Sequence, residues 1–174
     1  FYGSTFSNEL NHLFNGVDLK ASDCDMDALK QAFYGICPSG STAYYDAVCD
    51  MIHSIEQRCL PEDEVVVCVV TDGGDNSSRR ASLSSMRQAI EAKKAQGWNI
   101  VTIGMNNFDT ERASAQYGIG RGATLDAGQT PEHIRNTFAA VSGGVSRARG
   151  NGGQEVVFTQ AERTSSGGGA GAGG

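Results

Sequence analysis

Two hydrophobic spacings alternate along this chain, and they predict alternating strands and helices. The run EVVVCVV, residues 64–70, shows no polar alternation. Such a run predicts a strand covered on both faces, as in a parallel sheet flanked by helices. WNIVTIG, residues 98–104, predicts a second strand, and GATLDA, residues 122–127, a brief final one. Near the start, FYGSTFSNEL and NHLFNGVDL read as two short strands with a turn around Ser7 to Asn11. Helical spacing lies between them. Met26, Leu29, Phe33 and Ile36 follow an acidic stretch that suits a helix N-terminus, and Pro38 and Gly40 stop the pattern. Tyr44, Val48, Met51, Ile52 and Ile55 form a second apolar stripe. A third helix is predicted from about Ser82 to Gln96, ended by Gly97, and a short turn or helix near Asp109 to Tyr117. Thr130-Pro131-Glu132 opens a last helix, with Ile134, Phe138 and Val141 as its buried face.

Strand–helix alternation predicts an open α/β fold with a mainly parallel sheet. The pattern dissolves from about Gly143, where nearly half of the 23 glycines begin. Residues 1–146 therefore read as one domain and 147–174 as a Gly/Ser-rich flexible tail. Residues after about Gly150 are expected to be dispensable, with QEVVFTQ as one extra short strand at most. Phe1 begins in mid-pattern, which suggests an N-terminally incomplete domain.

Composition narrows the class. At 174 residues, with 39% hydrophobic and 20% charged side chains, the chain has the balance of a globular protein. A net charge of −6 argues against nucleic acid as a partner, and Arg79-Arg80 and Lys93-Lys94 are the only basic doublets. No apolar run approaches a membrane span, so no membrane insertion is expected. Five cysteines without CxxC spacing exclude a zinc-ribbon or thioredoxin reading. Cys68 inside the strand and Cys49 on a helix behave as small hydrophobes, favouring a reducing, intracellular and cytoplasmic setting. Asn76-Ser77-Ser78 fits a glycan acceptor pattern. His12, His53 and His133 are scattered with no acid–base partner in sequence reach, and Trp98 and Tyr44-Tyr45 read as packing.

Candidate chemistry lies in two loops. TDGGDN leaves the strand at residues 71–76, and GST enters a helix at residues 40–42. One reading is plain: Gly, Asp and Asn make turns, and Thr42 caps a helix. Asp46 reads as a structural acceptor at that helix start. The other reading is a ligand site at the carboxyl edge of a parallel sheet. A hydroxyl and a carboxylate, with waters, form the all-oxygen set that Mg²⁺ accepts, and Mn²⁺ or Ca²⁺ fit the same hard donors.

GST before an amphipathic helix and VVTDGGDN after an apolar strand resemble the second and third metal loops of von Willebrand factor A-type domains. GWNIVTIGMNN resembles the next strand of intracellular members, and the resemblance spans about residues 1 to 146. It implies an open, doubly wound, Rossmann-like sheet with helices on both faces. It also implies Thr42 and Asp72 as metal-site residues, direct or through water, with Ser41 and Asp75 behind them. The family's leading Asp-x-Ser-x-Ser motif is absent here, so Mg²⁺ binding is conditional on such a motif upstream. The implied function is non-enzymatic: a partner's Asp or Glu completes the coordination of a cation at a metal-ion-dependent adhesion site. Two rivals stand beside it, a structural subunit of a larger assembly with a metal-free site, and a metal-dependent hydrolase.

Overall fold

The computed structural model describes residues 2–7, 10–15, 27, 31, 40–106 and 108–168. They fall into two compact units, Phe1–Arg58 with Asp75–Ser82, and Cys59–Gly74 with Leu83–Gly174.

In the first unit, β1 (Tyr2–Phe6) pairs antiparallel with β2 (Leu10–Asn15), with a register irregularity between Gly3 and Ser4. Helix α1 (Tyr44–Glu56) packs on both strands. Four residues of its predicted stripe, Tyr44, Val48, Ile52 and Ile55, are buried, and the fifth, Met51, is half-buried. The Phe6 ring meets Tyr44 edge-on, centroids 6.2 Å apart. The expected helix around Met26, Leu29, Phe33 and Ile36 lies outside the described residues, apart from Asp27 and Gln31, which are helical.

The second unit is built on a three-stranded parallel sheet of order β3–β4–β5, with β3 at Val66–Thr71, β4 at Asn99–Gly104 and β5 at Thr124–Asp126. Helix α2 (Leu83–Ala95) and helix α3 (Thr110–Tyr117) connect the strands in turn. Gly97, at φ 88°, ends the turn after α2, a left-handed position that suits glycine. Helix α4 (Pro131–Gly150) follows, with Thr130 capping the His133 amide and Pro131 in the first turn, as the sequence predicts. A short α5 (Gln160–Ser165) closes the described chain. Among the described residues, no helix is long and apolar enough to cross a membrane.

Three expectations need correction. First, β3 is not covered on both faces: Val67, Val69 and Thr71 are buried, while Cys68 and Val70 are exposed. Among the described strands β3 lies at the sheet edge, whereas central β4 is buried at all six positions. An unbroken apolar run looks the same in both places.

Second, the buried face of α4 is Thr137, Ala140, Gly144 and Ala148; of the expected residues Phe138 is 54% exposed, Ile134 is half-buried, and Val141, also half-buried, packs against the core cluster. Small residues face inward because Val156 and Phe158 lie against them. A Cβ on Gly144 would stand 3.0 Å from Val156.

Third, residues 147–168 are built structure rather than a flexible tail. Helix α4 runs past Gly143 to Gly150, and Val156 and Phe158 join Val101, Leu125, Ala140 and Ala148 in one core cluster. QEVVFTQ forms no strand in this segment; instead Val156 N–H donates to Asn99 Oδ1 (2.7 Å) and Phe158 N–H to the Gly122 carbonyl (2.9 Å). Thr159 and Glu162 form a capping box at α5, and Arg163 donates to the carbonyls of Arg121, Gly122 and Thr124. The pattern is hidden in the sequence because only two apolar side chains, spaced as in an extended segment, anchor it.

Candidate functional site

Helix α1 begins without a cap of its own. Its N-cap is Ala43, not Thr42, and no side chain of that position bonds the first turn. The orphan amides of a helix start need partners, and here they come from about thirty residues away. Asp75 Oδ1 accepts from Tyr45 N–H (3.3 Å) and Ser78 Oγ from Asp46 N–H (3.0 Å). Ser78 in turn donates its hydroxyl to Asp75. The Tyr45 phenol is pushed up by burial and by the Asp75 charge beside it.

The exchange is reciprocal. Asp46, buried in the first turn of α1, receives the amides of Arg79 (2.9 Å), Arg80 (3.0 Å) and Ala81 (2.6 Å). Burial pushes its carboxyl up, but these three donors and the Arg80 guanidinium hold it net below its ordinary value. Asp46 is thus the structural acceptor its position suggests. Asp75, a rim candidate by sequence, has a capping role in addition.

Thr42 is clamped by its backbone. Its N–H donates to Asn76 Oδ1 (2.7 Å), and its carbonyl receives the amides of Asn76 (2.9 Å) and Ser77 (3.3 Å). Ser41 and Thr42 are half-buried in this first unit. In the same unit the Ser77 hydroxyl is buried with no hydrogen-bond partner among the described residues. Asn76 and Ser78 give no sequence signal of these roles, because Asn and Ser after a strand are ordinary turn formers.

In the second unit, Thr71 ends β3 with its hydroxyl donating to the Gly73 carbonyl (2.7 Å), which fixes the turn. Asp72 follows, exposed, with no hydrogen-bond or ion-pair partner among the described residues. No known family model matches the chain, and no curated protein matches it. The von Willebrand A resemblance therefore rests on its motifs.

At the same edge of the sheet, Asp126 ends β5 and accepts the Thr110 hydroxyl (2.7 Å), and Asn106 holds a left-handed φ of 53° after β4. Among the described residues, no three His, Cys, Asp or Glu side chains form a group able to hold a metal ion. A cation on Asp72 would depend on hydroxyl oxygens and water for most of its shell. Mg²⁺ tolerates that, since it keeps several waters and takes one or two carboxylates. The carboxylates of Asp46 and Asp75 are already engaged by amides.

Proposed function

We propose that this chain is a von Willebrand A-like binding module, doubly wound with helices on both sheet faces, which engages a carboxylate of a protein partner through a divalent cation. The carrying observation is Asp72, an exposed and unengaged carboxylate at the carboxyl end of parallel strand β3. An unpaired charge that ends a sheet strand costs little in water and is ready for a ligand. By the motifs' resemblance Thr42 and Asp72 are metal-site residues, for Mg²⁺ in the first instance, with Ser41 and Asp75 supporting them. A partner's Asp or Glu fills the remaining position, and no bond is made or broken.

The test is thermal unfolding with and without millimolar Mg²⁺. A ligand that binds only the native state stabilises it, by about 2.7 kcal/mol at a hundredfold excess over Kd. The melting temperature should rise in the parent and stay fixed in Asp72→Ala. An equal metal response in both proteins would remove Asp72 from the site.

A second reading has its own support. The carboxylates in the first-unit loop, Asp46 and Asp75, serve the backbone, which suits a subunit that keeps the fold and binds partners without metal. Under that reading neither protein responds to Mg²⁺.

A further inference from the structure

We propose that Ser82 is a phosphorylation site for an arginine-directed serine/threonine kinase. Arg79-Arg80-Ala81-Ser82-Leu83 places two guanidinium groups three and two residues before a hydroxyl and an apolar side chain directly after it. A kinase whose peptide cleft is acidic reads that charge pattern with an apolar residue beyond.

The fold presents these residues. Ser82 and Arg79 are exposed, and the Arg79 side chain has no hydrogen-bond or ion-pair partner among the described residues. Arg80 is 65% exposed along its side chain, though Asp50 holds it at 2.5 and 3.1 Å. Residues 78–82 have no helix or strand to unwind. The amide bonds to Asp46 and the Arg80–Asp50 pair anchor residues 79–81, Ser82 has an interaction of its own, and a kinase cleft would have to displace all of these. The doublet is too small for a nucleic-acid surface and plays no part in the cation reading.

In the transfer, Ser82 Oγ bonds to the γ-phosphorus of ATP as the bridging oxygen–γ-phosphorus bond breaks. ADP leaves, and the hydroxyl proton passes to the kinase's catalytic aspartate. The product carries about two negative charges immediately before Leu83, the first residue of α2. That helix has no acidic residue in its first turn, so its positive end gains an anion it lacks.

The experiment uses the full chain, ATP and the catalytic subunit of cyclic-AMP-dependent protein kinase as the arginine-directed reagent, with phosphate located by peptide mass spectrometry. The expected result is one phosphate on Ser82 of the folded protein and none on Ser82→Ala. Arg79→Ala is the second variant. It should fold as the parent does and lose about tenfold in kcat/KM, the worth of one charge-assisted contact. Four outcomes overturn the proposal: no phosphate on the folded chain, phosphate only after unfolding, phosphate at Ser77, Ser78, Ser84 or Ser85 instead, or a rate indifferent to Arg79.

Discussion

At the residue scale, Asp46 concentrates more of the first unit's polar organisation than any other side chain described above. One buried carboxylate satisfies three backbone amides of a loop with no regular structure. Asp46→Ala leaves those amides without an acceptor and should destabilise the protein by about 2–4 kcal/mol, read by urea unfolding. The pH dependence follows in sign. Its folded pKa lies below the unfolded value, so the stabilisation is complete above the ordinary carboxylate range and is lost as pH falls through the folded value. Melting temperatures from about pH 7 to about pH 3 should fall less steeply in Asp46→Asn than in the parent. Equal slopes would mean that other carboxylates dominate the acid limb.

At the element scale, the segment after α4 is a test of the corrected boundary. Phe158 is buried against Gly144, so Phe158→Ala should cost about 3–5 kcal/mol. Removing residues from 152 onward should lower the melting temperature by more than measurement error, the opposite of what a flexible tail would give. Most elements are legible in the sequence: the stripe of α1, the Thr-Pro start of α4, and β4 can all be read from spacing. What stays hidden has physical causes. The inward face of α4 is made of small residues, and apolar periodicity weights Phe138 over Gly144 although packing distance favours the glycine. At the candidate site, Thr42 and Asp72 are legible as motif residues, but Asn76 and Ser78 are not. Their partners lie 34 and 32 residues away, beyond any local pattern.

At the scale of the whole molecule, β3, the edge among the described strands of its sheet, bears on solution behaviour. Cys68 pairs in register with Val101, so the two side chains share a sheet face, and Val101 belongs to the cluster that includes Ala140 and Ala148 of α4. That helix covers Val101 yet leaves Cys68 and Val70 exposed, with no charged residue or proline along Val66–Thr71 to discourage pairing. Such an edge favours association. Light scattering of the chain should therefore rise with concentration, and Val70→Lys should reduce that rise. A monodisperse parent at high concentration would show the edge to be harmless.

The cradle around Asp46 also has a consequence in time. The start of α1 is finished by residues 75 to 81, so a growing chain makes the helix well before it makes the groups that cap it. At ordinary synthesis rates of about 5–20 residues per second, the 35 residues between Asp46 and Ala81 take roughly 2–7 s to add. During that interval the first turn of α1 is open to water, and its amides should exchange freely. On a stalled nascent chain ending before Asp75 they should exchange fast, and on one long enough to expose Ala81 outside the ribosome they should be protected.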